Sequence, residues 1–281
     1  MEGRIAIVTG SNSGFGLLSV LELAQIGFNV MATMRDPIQS EDLLLQAGKL
    51  GVEHNIHIHQ LDVTSEESIH NFARFLSKIG KIDLLLNNAG YAGGGFAEEV
   101  SIEEYREQFE TNVFGVMRIT QLVLPFMREQ GNGKIINMSS ISGRIGFPGL
   151  SPYVSSKHAL EGYSESLRIE MRPFGVDVHL IEPGSYQTRI WTSGKKVSSR
   201  SLEKNSPYSF YMKAINAEIE AGTKSLGDPV EVANVVRDLA LNKNRNFRIP
   251  VGKGIRLILL IKSILPWRII EHIILKNLRI K

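Results

Sequence analysis

Short apolar runs alternate with amphipathic helical patterns along most of the chain. The runs have the length and the β-branched content of buried strands, and the segments between them repeat apolar residues every three to four positions. Strands that alternate with helices predict a single α/β domain, in which helices cover both faces of a doubly wound parallel sheet. The predicted strands cover residues 4–9, 29–33, 56–61, 82–86, 134–138, 176–181 and 246–250, and the predicted helices cover 17–26, 42–50, 64–78, 101–127, 153–167 and 228–241.

Two helix starts carry a capping box, in which a hydroxyl side chain and a glutamate three residues later bond each other's main-chain amides. The boxes cover residues 64–67 and 101–104. The helix after the second box contains Asn112, and a polar amide is locally unfavourable in mid-helix. Asn112 therefore indicates a specific partner, with an exposed polar residue as the alternative.

A glycine-rich turn joins the first predicted strand to the first predicted helix. Main-chain amides at a helix start bind phosphate, and glycine lets the backbone approach the ligand closely. The glycine spacing differs from Gly-x-Gly-x-x-Gly, and a purely structural turn is the alternative. The candidate phosphate-binding residues are Gly10, Ser13, Gly14, Phe15 and Gly16.

The end of the second predicted strand favours a phosphorylated dinucleotide. Met34 occupies the position where an NAD-binding fold often carries an acidic residue for the ribose hydroxyl, and Arg35 follows it. An arginine there makes a charge-assisted contact with a 2′-phosphate, so we predict NADP(H), with NAD(H) as the alternative. A solvated Arg35 that pairs with Asp36 is the other interpretation.

Two further strand ends supply candidate cofactor contacts. Asp62 and Val63 follow the third strand, where a carboxylate could bond an adenine amine; a helix-capping role for Asp62 is the alternative. Asn88, Ala89 and Gly90 follow the fourth strand. Small residues at the carboxyl end of a strand allow a flat ring to approach the backbone.

The most specific candidate chemistry is a tyrosine and a lysine four residues apart in a helical pattern. At ~1.5 Å rise per residue, Tyr153 and Lys157 share one helix face about 6 Å apart. A phenol has a pKa near ~10, and a nearby ammonium lowers it. Lys157 would therefore let Tyr153 exchange a proton near neutral pH, and Ser140, after the strand at 134–138, could bond the same substrate oxygen. An ordinary surface pair is the alternative.

Composition narrows the class of protein. The 281 residues are 43% hydrophobic and 22% charged, which is enough for a sizeable core. No cysteine is present, which excludes disulfides and cysteine-bound metals and fits a reducing, cytoplasmic compartment. His57 and His59 alternate on one strand face without a carboxylate cluster, so no metal site is predicted. Because strand-like sequence begins by Ile5, we expect no signal peptide.

The basic charge lies in a C-terminal extension, residues 253–281. This extension holds seven Lys or Arg and one Glu, or +6, which leaves −3 of the net +3 for the remainder. Nucleic-acid binding is therefore not expected. Arg268, His272, Lys276 and Arg279 recur opposite apolar positions, which predicts a basic amphipathic helix. The helix could close the substrate pocket or form a dimer contact, or it could bind an anionic membrane surface peripherally; charged residues interrupt its apolar runs, so it is not expected to span a membrane.

Residues 185–227 have a weak pattern. The polar stretch 194–201 has no apolar face, and a short aromatic-rich helix is predicted at 207–215. Long connections of this kind are usually functional, so we predict a substrate lid inserted in a domain of residues 1–252.

The ordered motifs resemble the short-chain dehydrogenase/reductase family over residues 4–252. This resemblance implies a Rossmann fold, a nicotinamide cofactor and reversible oxidation of an alcohol to a carbonyl. A basic residue that often precedes the second glycine in NADP-preferring relatives is replaced here by Ser13, so the NADP(H) prediction depends on Arg35. The matching motifs are Thr-Gly-x-x-x-Gly-x-Gly at 9–16, Asn-Asn-Ala-Gly at 87–90, Asn112, Ser140, Tyr-x-x-x-Lys at 153–157 and Pro-Gly-x-x-x-Thr at 183–188.

The resemblance implies a role for each matching residue. Tyr153 would be the general acid/base, and Lys157 would lower its pKa and bind the nicotinamide ribose. Ser140 would position the carbonyl, and Asn112 would hold a proton-relay water. Further cofactor contacts would come from Pro183, Gly184 and Thr188.

A narrower resemblance is to the 17β-hydroxysteroid dehydrogenase type 1 and retinol dehydrogenase branch, through residues 32–36, 159–162 and 173–176. We therefore predict an NADP(H)-dependent oxidoreductase that interconverts a ketone or aldehyde and an alcohol on a hydrophobic small-molecule substrate, as a homodimer or homotetramer. The alternatives are a hydroxysteroid or retinol dehydrogenase proper, and a non-catalytic NADP(H)-sensing or scaffold protein.

Overall fold

The apolar runs form strands, and the amphipathic segments between them form helices. The computed structural model of the protein describes residues 3–188, 190, 194–222, 226–243 and 246–278. The strands are β1 (Arg4–Thr9), β2 (Phe28–Met34), β3 (Ile56–Gln60), β4 (Leu84–Asn87), β5 (Ala92–Gly94), β6 (Gly133–Met138), β7 (Val176–Pro183), β8 (Lys195–Val197) and β9 (Arg248–Val251). The helices are α1 (Gly14–Gln25), α2 (Glu41–Leu50), α3 (Glu66–Leu76), α4 (Ile102–Phe109), α5 (Val116–Gln130), α6 (Ser151–Met171), α7 (Ser199–Leu202), α8 (Ser209–Gly222), α9 (Val230–Ala240), α10 (Ile255–Ile264) and α11 (Trp267–Asn277).

One parallel sheet dominates the part of the chain that the structure describes. Its seven strands have the order β3-β2-β1-β4-β6-β7-β9, and each neighbouring pair is parallel. The chain winds outward from β1 in one direction to β3 and from β4 in the other direction to β9. This doubly wound order confirms the predicted α/β fold, and it opens a crevice at the carboxyl ends of β1 and β4.

Both faces of the sheet are buried. In β1, Ala6 and Val8 belong to a core that includes apolar residues of α1, α2 and α9. Ile5 and Ile7 point the other way, into a core with residues of α3, α5 and α6. Successive strand residues face opposite sides, so a strand covered on both faces is a continuous apolar run. This is why the central strands could be found from short apolar stretches.

One of the two predicted capping boxes is confirmed. Ser101 and the glutamate three residues later exchange both hydrogen bonds at the start of α4. The box at 64–67 is wrong by one residue, because Ser65 caps α3 and accepts from the amide of Ser68. The Thr64 hydroxyl instead donates to Oδ1 of Asp62 at 2.7 Å. The Thr64 hydroxyl therefore bonds the carboxylate of Asp62 and does not cap the helix.

The region 185–227 contains more regular structure than its polar sequence predicts. β8 pairs with β5, and α7 and α8 follow it. In the stretch predicted to have no apolar face, Ser198 and Ser201 are buried. Ser198 donates to the main-chain oxygen of Glu99, and Ser201 accepts from the amide of Phe96. Within this region, residues 189, 191–193 and 223–225 lie outside the described residues.

The C-terminal extension forms α10 and α11. Ile255 and Leu259 of α10 are buried against Ile145 and neighbouring apolar residues of the segment after β6. The predicted amphipathic helix corresponds to α11, and Arg279 lies outside the described residues. Among the described residues, no helix combines the length and the apolar character that crossing a membrane requires.

Candidate active site

A cavity of about 680 Å³ lies at the carboxyl ends of the central strands. It is the crevice that the doubly wound order creates. Two of the predicted site residues, Gly16 and Asn112, are not among its lining and lie behind its walls. The predicted residues that do line it are Gly10, Ser13, Gly14, Phe15, Arg35, Asp62, Val63, Asn88, Ala89, Gly90, Ser140, Tyr153, Lys157, Pro183, Gly184 and Thr188.

The glycine-rich turn is shaped by close contacts that exclude side chains. Gly10 and Gly14 have φ of +68° and +56°, in the left-handed region that favours glycine. A Cβ atom on Gly10 would lie 2.9 Å from the Cα atom of Ala89, and one on Gly16 would lie 2.2 Å from the oxygen of Gly10. Ser13 precedes α1 without a side-chain capping bond, which leaves first-turn amides for another acceptor.

Thr9 and Asn88 tie the turn to the end of β4. The Asn88 side chain donates to the main-chain oxygens of Thr9 and Gly10 at 2.9 and 3.0 Å. The Thr9 hydroxyl accepts from the amides of Asn88 and Ala89. Asn88 therefore holds two strand ends together, and Thr9 is a site residue to which sequence reasoning gave no role. Its position in the motif at 9–16 is the signal that could have identified it.

The end of β2 carries an exposed cation beside the cavity. Arg35 is exposed and lines the cavity, while Met34 is buried next to it. Asp36, the alternative partner of Arg35, accepts from the amide of Ile38 at 3.1 Å. After the neighbouring strand β3, Oδ1 of Asp62 accepts both the amide and the hydroxyl of Thr64, and Asp62 also lines the cavity. These bonds close a turn before α3, whose N-cap is Ser65, so the alternative helix-capping role of Asp62 is wrong.

Tyr153 and Lys157 lie on one face of α6 and point into the cavity wall. Both are buried, and the ammonium of Lys157 lies 5.7 Å from the centre of the Tyr153 ring. Nζ of Lys157 donates to the main-chain oxygen of Met138 at 2.7 Å, which anchors it at the end of β6. Ser140, two residues further on, forms a side-chain hydrogen bond with Tyr153. The three side chains predicted from spacing are therefore brought together.

The proton affinities of this group are set mainly by burial. Burial raises the pKa of Tyr153 to about 12, and the hydrogen bond with Ser140 only partly opposes it. Burial also lowers the pKa of Lys157 to about 8, against the opposing charge of Glu161. The predicted lowering of the Tyr153 pKa is therefore wrong: loss of solvent disfavours the phenolate, and this effect exceeds the stabilisation that the bond with Ser140 provides.

Asn112 lies in a π-helix, Glu110–Gly115, that joins α4 to α5. Its Oδ1 accepts the amide of Tyr91 at 3.2 Å, and its Nδ2 donates to the oxygen of Tyr91 and to Oγ of Ser156 at 3.1 and 3.2 Å. The specific partner indicated by the sequence is thus a pair of contacts between the loop after β4 and α6. Single π-helical turns inside α-helices are frequent at functional sites.

Behind the tyrosine lies a buried charge network that sequence reasoning missed. Oγ of Ser139 donates to Oε1 of Glu161 at 2.5 Å, and Arg248 contacts Glu161 and Glu182 at 3.0 and 3.6 Å. Arg144 pairs with Glu182 at 3.1 Å. Burial, and then the charge of Glu161, raise the pKa of Glu182 to about 6. Glu161 follows Lys157 by four residues, the same helical spacing that identified the lysine.

The cavity fits an elongated ligand that carries phosphates. Oγ1 of Thr188 is buried and has no hydrogen-bond partner in the described part of the chain, and buried hydroxyls are normally bonded. The turn at Gly10, the free first-turn amides of α1 and the exposed Arg35 add donors along the same wall. These donors, together with the cradle around Gly10 that a Cβ would fill, suit a dinucleotide.

Part of the cavity wall comes from the region 185–227. Lys196 lies 4.9 Å from the ring centre of Tyr91 and 3.4 Å from a carboxylate oxygen of Glu107, and all three line the cavity. Strand β8 carries Lys196, so the predicted lid segment contributes directly to the cavity wall.

Comparison with known proteins agrees with this architecture. The family model "short chain dehydrogenase" matches residues 4–197. The oxidoreductase YusZ of Bacillus subtilis (strain 168) is 51% identical over 279 residues, covering 99% of each chain. The 3-ketodihydrosphingosine reductase of Bacteroides thetaiotaomicron is 33% identical, covering 97% of each chain. A short chain dehydrogenase/reductase from Burkholderia phymatum, solved in complex with NAD, has 25% identity and a TM-score of 0.78, covering 93% of each chain.

Proposed function

Since the chain belongs to the short-chain dehydrogenase family, we propose that it is an NADP(H)-dependent oxidoreductase that interconverts a carbonyl and an alcohol on a hydrophobic substrate. The observation that carries this proposal is the contact of Ser140 with Tyr153, and of Tyr153 with Lys157, on the wall of one cavity. A hydroxyl pair and an amine that face a dinucleotide-sized crevice are suited to proton transfer at a carbonyl oxygen.

The proton affinities suit the transfer of a proton from Tyr153 to a carbonyl oxygen. A nicotinamide dinucleotide, when bound, supplies the hydride. With its pKa raised to about 12, Tyr153 is protonated at neutral pH, so it can give a proton to the carbonyl oxygen as the alcohol forms. Ser140 donates a second hydrogen bond to that oxygen and orients it. Lys157, with its pKa lowered to about 8, exchanges protons readily near neutral pH and can return one toward Tyr153.

A ketone on a long hydrocarbon chain is the substrate class that we favour. The relative named 3-ketodihydrosphingosine reductase supports it, because it is similar over almost the whole chain. The steroid and retinol alternatives stay predictions, and so do the homodimer or homotetramer and the domain limits at residues 252 and 253.

The tyrosine is tested by Tyr153→Phe, with Tyr163→Phe on the same helix as the matched control. We expect the first variant to lose more than about a thousandfold in ketone reduction while it binds NADPH as the wild type does, because only the transferable proton is removed. The control should keep its rate. A near-normal rate for Tyr153→Phe contradicts the mechanism. Tight NADPH binding without turnover on long-chain ketones, sterols and retinoids would favour the sensing or scaffold alternative.

The cofactor preference depends on Arg35. Its charge would pair with a 2′-phosphate, so Arg35→Ala should weaken kcat/KM for NADPH about 10- to 100-fold, as expected for a charged hydrogen bond, and leave NADH nearly unchanged. Lys49→Ala, an exposed lysine on α2, serves as the control. Because the Burkholderia relative was solved with NAD, NAD(H) is the alternative, and equal losses with both cofactors would favour it.

A further inference from the structure

Helices α10 and α11 expose many large apolar side chains. These side chains are 40–69% exposed, and eight of the nineteen exposed large apolar residues of the described chain lie here. Concentrations of exposed apolar side chains mark interaction sites on proteins. We call this surface the C-terminal face, and it consists of Leu257, Ile258, Leu260, Ile261, Ile264, Trp267, Ile269 and Ile273.

The orientation of this face is set by contacts on the opposite side of α10. Ile255 and Leu259 are buried against the segment after β6, and the ammonium of Lys262 donates to the main-chain oxygen of Arg144. These residues recur every three to four positions, so they form one side of the helix. The apolar residues between them therefore point away from the sheet, and the described part of the chain does not cover them.

Basic side chains lie on the same two helices as the C-terminal face. Lys253, Arg256, Arg268 and Lys276 are exposed along the two helices, against a single acidic residue, Glu271. The charge of the chain before residue 253 is negative by comparison. Helices that expose both apolar and basic side chains complement a layer that is apolar inside and anionic outside.

We propose that the C-terminal face docks on the surface of an anionic phospholipid bilayer. Trp267, at the junction of the two helices, is 55% exposed, and tryptophan favours the boundary between headgroups and hydrocarbon. A second copy of the chain is a weaker occupant, since a two-fold contact through this face would bring its basic residues against each other. The helices lie in the interface and do not cross it.

Docking would place the candidate active site close to lipid. The side chain of Ile255 lies 2.7 Å from where a Cβ on Gly184 would be, and Gly184 lines the cavity. The helix that carries the C-terminal face therefore also backs the cavity wall. This consequence rests on the proposed function, because it matters only for a lipid-like substrate, whereas the docking itself does not.

Co-sedimentation of the full chain with vesicles tests the proposal without any turnover. We expect binding to phosphatidylcholine vesicles that contain phosphatidylglycerol, weaker binding to phosphatidylcholine alone, and release by salt. On binding, tryptophan fluorescence should shift to shorter wavelength, and Trp267→Phe should abolish the shift. Protein that stays in the supernatant with both kinds of vesicle overturns the proposal.

Paired substitutions test whether the C-terminal face is the surface that binds vesicles. Leu260→Glu with Ile264→Glu should weaken vesicle binding at least about tenfold. The control pair Leu45→Glu with Ile169→Glu, similarly exposed apolar residues elsewhere, should bind as the wild type does. Reduction of a small water-soluble ketone reports that each variant is folded. Equal binding by the test and control pairs overturns the proposal.

A second pair of substitutions tests how much the basic side chains contribute to vesicle binding. Arg256→Gln with Arg268→Gln should weaken binding to anionic vesicles about thirtyfold, as expected for two cations at a charged membrane, and leave binding to neutral vesicles unchanged. Lys49→Gln with Lys78→Gln is the matched control. Light scattering gives the rival outcome: a dimer that Leu260→Glu with Ile264→Glu separates, without any effect of vesicles, would assign the face to a second copy and refute docking.

Discussion

Burial of the Lys157 ammonium should make the stability of the protein depend on pH. The side chain is 6% exposed, and burial lowers its pKa from 10.5 to about 8. We expect Lys157→Met, which keeps the length of the side chain and removes its charge, to abolish this dependence. The sign follows from proton binding: between the two pKa values the folded chain holds fewer protons than the unfolded chain, so stability rises with pH in that window.

The magnitude follows from the same pair of values. A pKa lower by about 2.5 corresponds to a total of about 3 kcal/mol, and roughly 2 kcal/mol of it falls between pH 7 and 9.5. The tyrosine acts in the opposite sense at higher pH. Burial raises the pKa of Tyr153 to about 12, so its stabilisation is complete below pH 10 and is lost above it. Measurements up to pH 9.5 therefore exclude the tyrosine, and the difference between wild type and Lys157→Met removes the contributions of Lys195 and Lys262, whose pKa values burial also lowers.

Urea denaturation followed by circular dichroism, on protein freed of nucleotide, measures the free energy of unfolding at each pH. The difference between wild type and Lys157→Met should shift by about 2 kcal/mol in favour of the wild type from pH 7 to 9.5. Lys49→Met, which removes an exposed lysine, should follow the wild type. A wild-type to Lys157→Met difference that is constant across this range would refute the burial argument.

Two further substitutions probe the walls of the cavity. The charge of Glu161 raises the pKa of Lys157, so Glu161→Gln should move the pH profile of kcat/KM for reduction to lower pH. The carboxylate of Glu165 is exposed, so Glu165→Gln should leave the pH profile in place. Gly16→Ala places a Cβ 2.2 Å from a main-chain oxygen of the glycine-rich turn, so calorimetry should show NADPH binding weakened at least about tenfold. A Cβ on Gly48 would have no atom within 4 Å, so Gly48→Ala should bind NADPH as the wild type does.

The fold could be predicted because its signals are local. In β1 every residue from Ile5 to Thr9 is buried, so the strand is one unbroken apolar run. The turn that follows needs a left-handed backbone at Gly10. Glycine adopts that conformation readily, so a glycine at this position is a signal that the sequence provides. The same locality explains the pairing of Tyr153 with Lys157, since one helical turn separates them.

The parts that could not be predicted depend on distant contacts. Residues 102–127 keep a helical period, so nothing in them marks the π-helix; it is seen only once Asn112 meets Tyr91 and Ser156. Ser198 is buried by a bond to Glu99, which lies 99 positions away. The shift of the Tyr153 pKa also depends on distant contacts, because the burial of the phenol by the fold raises it.

The charge network explains why the C-terminal extension and the candidate site are structurally linked. Arg144 contacts both: its guanidinium pairs with the buried carboxylate of Glu182 at the end of β7, and its main-chain oxygen accepts from Lys262 of α10. Arg248 contacts both Glu182 and Glu161, and Glu161 lies one helical turn after Lys157. A buried carboxylate without a cation carries a large desolvation cost, and Arg144 and Arg248 together balance the charge of Glu182. Because Lys262 of α10 bonds the main chain of Arg144, the extension packs against the charge network behind the catalytic candidates.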